Sequence, residues 1–202
     1  MNTETFERPG VARDGGFYAG HIRLDDGQAF ALIVAPKSTG EYKSTIWIPD
    51  YKDVPGAKSF NDGLANTRAM AEEGSELAQW ALNLRMDGHE DWYIPSMDEL
   101  EVIYRNLKPS TEKNSCWARS GINLSSIVPS RPYTPEFPLQ TQAELFKSGA
   151  EQTFESSLYW SSSQHIEDGN YAWCQDFYDG YQGYGNTGNE LRARAVRRLA
   201  IL

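Results

Sequence analysis

No stretch of this chain limits its fold more than residues 159–184, which read YWSSSQHIEDGNYAWCQDFYDGYQGY. Eight of these 26 residues are aromatic, a third of the 25 aromatics in the 202-residue chain, and Ile166 is the one Leu, Ile or Val among them. An ordinary core segment would carry aliphatics here. Rigid aromatics among Gly, Asn, Asp, Gln and Ser make up a recognition surface instead. The segment reads as strands over residues 158–162 and 171–178, joined by a polar loop around Gly169. Trp160 and Trp173 are expected in the core. Beyond Phe177 the chain runs FYDGYQGYGNTGNE, with glycines at 180, 183, 185 and 188 and almost no aliphatic partner. Such a loop cannot bury all of Tyr178, Tyr181 and Tyr184, so residues 178–189 form the expected exposed face. Exposed Tyr beside Asn, Asp and Gln suits stacking on sugars or docking on protein.

The rest of the chain fits one α+β domain. Residues 1–14 are polar, contain Pro9 and Gly10, and read as an arm or linker before a domain over 15–202. FYAGHIRL (17–24) and QAFALIVA (28–35) flank Asp25-Asp26-Gly27, a hairpin signal. The second strand is continuously apolar from residue 29 to 35, as a central strand is. Residues 37–42 read as a turn and 44–48 as a short third strand. Residues 59–86 have helical spacing, broken at Gly74. Ser96 and Glu99 form a capping box, followed by Leu100, Ile103, Tyr104 and Leu107 at i, i+3, i+4 and i+7, with Pro109 closing the helix. Residues 110–157 carry little periodicity, with a short helix allowed over 140–146. Residues 193–199 read as a last strand. Hairpin, helices, irregular middle, then strands is an α+β order: antiparallel strands, two to three helices and long irregular loops.

Charge and missing motifs narrow the chemistry. A formal net charge of -9 argues against a nucleic-acid binder. Cys116 and Cys174 are too few for a disulfide scaffold, and they read as two reduced thiols or one bridge. No apolar run is long enough to span a bilayer, and the first residues lack the pattern of a secretory signal. The chain is therefore expected to be made in a host cytoplasm. His21, His89 and His165 are scattered, no zinc spacing occurs, and the paired carboxylates read as solvated turns. No nucleophile motif or phosphate loop is present. Neither a cofactor nor a metal is expected, and the chain reads as no enzyme. Arg192, Arg194, Arg197 and Arg198 are read as partners of carboxylates that fix the last strand.

Four blocks taken in order resemble one family: GHEDWYIPSMDELEVIY (88–104), YWSSS (159–163), YAWCQDFYDGY (171–181) and RARAVR (192–197). They resemble the DUF1566 family, C-type-lectin-like domains of bacteriophage and bacterial proteins, across about residues 15–202. The opening GGFYAGHIRLDDGQAFALIVAPK (15–37) looks like the start of phage-encoded members. The resemblance implies a lectin-like fold whose first and last strands pair. It makes Trp92 and Pro95 the entry to the capped helix, Trp160 scaffold, and Arg194 and Arg197 the terminal family arginines. It is also similar to receptor-binding tips whose varied residues lie near the C-terminus. On that basis the binding candidates are Asn170, Tyr171, Gln175, Asp176, Tyr178, Asp179, Tyr181 and Tyr184. The lectin calcium motifs are missing. The expected function is a phage virion protein, a tail fibre tip or tail adhesin that binds a host glycan or protein. The alternative is a structural capsid or tail protein docked on other virion subunits, and a homo-oligomer fits either.

Overall fold

A computed structural model describes residues 8–127 and 130–201. Among them run nine strands: β1 (Ala12–Arg13), β2 (Gly16–Arg23), β3 (Ala29–Val34), β4 (Glu41–Thr45), β5 (Leu158–Gln164), β6 (Tyr171–Asp176), β7 (Gln182–Asn186), β8 (Leu191–Arg194) and β9 (Val196–Ala200). The helices are α1 (Lys37–Gly40, a single turn), α2 (Gly63–Glu72), α3 (Glu76–Leu82) and α4 (Met97–Leu107). One sheet has the order β1-β2-β3-β9 and the other β4-β8-β5-β6-β7, so the fold is α+β.

The β2–β3 hairpin turns where the Asp-Gly signal places it, with Gly27 at φ +88° and the Gln28 amide donating to Asp26 Oδ1. β3 is apolar throughout because both of its faces are covered. Leu32 and Val34 join the core beneath α4, while Ala31, Ile33 and Ala35 pack with Trp92 on the other side. Residues 1–7 of the expected arm lie outside the described residues. Strand pairing begins before residue 15, since β1 pairs with β2 and the Gly10 amide donates to the Tyr18 carbonyl.

Three segments differ from the sequence expectation. The turn over 37–42 holds the helical turn α1, and the third strand lies earlier, at β4, where Glu41 meets Arg192 and Arg194. The last strand is two strands, not one. β8 pairs with β4 and β9 with β3, so the chain changes sheets at Ala195. Ala195 completes the crossing, its amide donating to Gly40 O and its carbonyl accepting from Ala35 N. The last strand thus pairs with the second arm of the hairpin rather than with the first strand. All four arginines reach carboxylates: Arg192 and Arg194 on Glu41, Arg197 on Asp91 at 2.7 Å, Arg198 on Asp62 at 3.0 Å.

The helices close the core between the sheets. α2 and α3 part at Gly74, φ +96°, and cover Trp47, Trp160 and Cys174. α4 opens on the capping box, with Ser96 Oγ accepting from the Glu99 amide and Glu99 Oε2 accepting from the Ser96 amide. Leu100, Ile103, Tyr104 and Leu107 bury one face against β2 and β3 residues, Tyr159 and Phe177. Trp92 and Pro95 are buried just before it, and the Pro95 carbonyl accepts from the Ser162 amide. Among the described residues of 110–157 there is one short 3-10 turn, Glu144–Phe146. Side chains organise the rest: Lys108 and Asn114 satisfy the carbonyls of Glu112, Thr134 and Pro138 from inside.

Candidate ligand-binding face

In an antiparallel pair, residues directly opposite share one face of the sheet. The β6–β7 register sets Trp173 opposite Tyr184 and Tyr171 opposite Asn186. Their side chains therefore stand together at one end of the sheet. At the other end the same face holds Gln175 and Gln182, both buried beneath neighbouring elements. Tyr184 sits edge-on to Trp173 at 5.6 Å and to Tyr171 at 5.5 Å between ring centroids. His165, just past β5, adds its ring 4.8 Å from Tyr184, and Phe60 lies edge-on to Trp173 at 5.5 Å. The loop after β5 fixes this histidine: its Nδ1 accepts from the Glu167 and Asp168 amides. Tyr184 is 54 % exposed, and Tyr171, Trp173, His165 and Phe60 are half-buried. The outcome is a platform of fixed rings open to solvent.

Beside Trp173 the platform drops into a cavity of about 660 Å³. Its charged lining is two carboxylates, Asp25 and Asp98, and two cations, Lys58 and Arg119, which cancel. Arg119 lies 4.6 Å over the Phe60 ring and donates to Asp98 Oδ1 at 2.6 Å. Burial raises the Asp98 pKa, opposed by the Arg119 guanidinium. Asn61 Nδ2 donates to Asp25 Oδ1 at 2.7 Å, leaving carboxylate lone pairs free. Trp173 Nε1 and Arg119 Nη1 have no hydrogen-bond partner among the described residues. The cavity thus combines flat rings with balanced donors and acceptors, a lining for a neutral ligand rich in hydroxyl groups.

The eight sequence-derived binding candidates do not form one surface. Tyr171, Tyr184 and exposed Asn170 lie at the ring platform. Tyr178 and Tyr181 are exposed in the turn at the far end of β6, on the order of 15 Å away along the strand. Asp176 and Asp179 are half-buried and spend an oxygen each on that turn, accepting from the Tyr178 and Tyr181 amides. Gln175 corrects the expectation outright: it is fully buried, and its Nε2 donates to the Gly180 carbonyl. The expected loop over 178–189 is corrected too, because β7 occupies its middle as the sheet's edge strand. Trp160 is buried, with Nε1 donating to the Thr45 carbonyl, but Trp173 is not core and forms the centre of the platform. Its spacing of two from Tyr171 is the signal that could have placed it there. Phe60 and Arg119 come from distant segments and left no signal, whereas His165 lies within the aromatic run itself.

Cys116 and Cys174 are free thiols, and burial pushes the Cys174 thiol up to about 12. Among the described residues no group of three His, Cys, Asp or Glu side chains could hold a metal ion, and no helix is long and apolar enough to cross a membrane.

Fold and face together define a lectin-like α+β domain with a surface aromatic cluster. The family model of the Lcl C-terminal domain matches residues 43–197. That is well over half of the chain, which belongs to this lectin-like family of the DUF1566 group. Comparison with curated proteins gives no match.

Proposed function

We propose that this chain is a bacteriophage adhesin, a tail fibre tip or tail-associated protein that holds a host surface glycan or receptor against Trp173 and Tyr184. The ring platform beside a charge-balanced cavity carries this reading. Pyranose rings present C–H faces that stack on Trp and Tyr, while their hydroxyls pair with carboxylates and amides. Trp173 offers the stacking face, and Asp25, Asn61 and Lys58 offer the polar partners. The virion setting rests on the likeness of residues 15–37 to phage-encoded proteins. Other virion subunits and further copies of the chain are its expected neighbours.

A second reading, a structural decoration protein of capsid or tail, draws on Leu124 and Trp117. They are 93 % and 79 % exposed, large apolar side chains suited to a neighbouring subunit.

Binding of the purified protein to bacterial cells and to immobilised neutral glycans separates the two. Under the adhesin reading, W173A and Y184A each weaken binding by about tenfold or more, while Y178A and Y181A bind like the wild type. Wild-type binding by W173A and Y184A would contradict it. In electron micrographs of particles, an antibody to the chain should label distal tail ends, and label spread over the capsid would favour decoration.

A further inference from the structure

A second concavity, of about 1010 Å³, shares no lining residue with the cavity beside Trp173. It lies between the segment before β1, the end of α4 and the loop around Leu139. Three arginines line it, Arg8, Arg105 and Arg131, and among the described residues no carboxylate does, on a chain of net charge -9. Arg105 is held in place. Its Nε and Nη2 bond to Glu101 Oε1 at 2.8 and 2.7 Å, and Nη2 also donates to the Gly121 carbonyl. Among the described residues its Nη1 makes no hydrogen bond, and Arg131 is exposed and forms no ion pair. Aliphatic side chains share the lining: Val11, Pro138, Leu139 and Ala143. Gly10 closes that wall, since its backbone has φ +85° and an added Cβ would stand 2.3 Å from Ala143 Cβ.

We propose that this groove docks an extended peptide segment of a partner protein in which carboxylates alternate with aliphatic side chains. Guanidinium groups recognise carboxylates through directed, charge-assisted hydrogen bonds. Side chains of alternating character, spaced as in an extended strand, reach Arg105 and Arg131 with one set and Leu139, Val11 and Ala143 with the other. A saccharide fits the walls less well. Among the described lining residues Phe137 is the one aromatic ring, and the Arg105 guanidinium already lies over it at 5.6 Å.

A random heptapeptide library selected on the intact chain, with counter-selection on R131E and L139D, tests this. Both side chains are exposed, Leu139 at 70 %, and thermal melts confirm that the variants fold. Retained peptides should be enriched in Asp and Glu interleaved with Leu, Ile and Val. Their affinity should fall about tenfold or more on either variant and weaken with added salt. The proposal is overturned if no peptide is retained, if retained peptides lack carboxylates, or if they bind R131E as they bind the wild type. Displacement of the retained peptides by a soluble hexuronate oligomer at lower concentration would also overturn it, making the groove a site for acidic sugar.

Discussion

Glu99 occupies the third position of α4 with both oxygens engaged, Oε1 by the Tyr93 hydroxyl at 2.6 Å and Oε2 by the Ser96 amide at 2.7 Å. Burial outweighs these bonds and raises its pKa from 4.5 to about 7. Between those values the folded chain holds a proton that the unfolded chain has lost. This carboxyl's contribution to stability is therefore complete in acid and disappears as pH rises from 4.5 to about 7. E99Q removes the titration. Measured by urea unfolding, its stability relative to wild type should improve by about 3 kcal/mol between pH 4 and pH 8. A difference that does not change with pH would show that Glu99 stays ionised. The capping-box role of Glu99 was legible from four residues, because a cap is local. Its full burial was not, since Arg198 reaches it from β9, far along the chain.

At the scale of elements, the C-terminal strand pair is the joint between the sheets. The sequence ARAVRRL (193–199) has no turn residue and reads as one strand. It is divided because Glu41 draws Arg192 and Arg194 to one sheet, while Asp91 and Asp62 take Arg197 and Arg198 toward the other. Those carboxylates are dozens of residues away, so no local pattern marks the switch. Ala195→Pro deletes the amide that donates to Gly40 and should destabilise the chain by about 3 kcal/mol in urea unfolding. No loss would mean that the crossing does not depend on this bond. The β6–β7 ribbon shows the opposite limit. Aromatic and glycine composition marked it as a surface, but composition has no register. Strand pairing alone sorted Tyr171 and Tyr184 to the platform, Gln175 to the interior, and Tyr178 with Tyr181 to the far turn. The hairpin and α4 were readable because their Asp-Gly turn and 3.6-residue spacing are complete within a few residues.

For the whole molecule, the family match agrees with the lectin-like domain that four short blocks of sequence resemble. The irregular stretch 110–157 stayed opaque because its order comes from buried side chains such as Lys108, Asn114 and Asn123 rather than from periodic backbone. It supplies Arg119 and Leu124 to the cavity beside Trp173 and Arg131 and Leu139 to the second groove. In the proposed function Trp173 is the contact surface for ligand. The chain has six tryptophans, and their indole N–H signals in a nitrogen-15 correlation spectrum report on each separately. Titration with a neutral glycan that the protein retains should shift the Trp173 indole signal and leave those of buried Trp47 and Trp92 in place. A bound glycan that leaves the Trp173 signal unmoved would contradict the account.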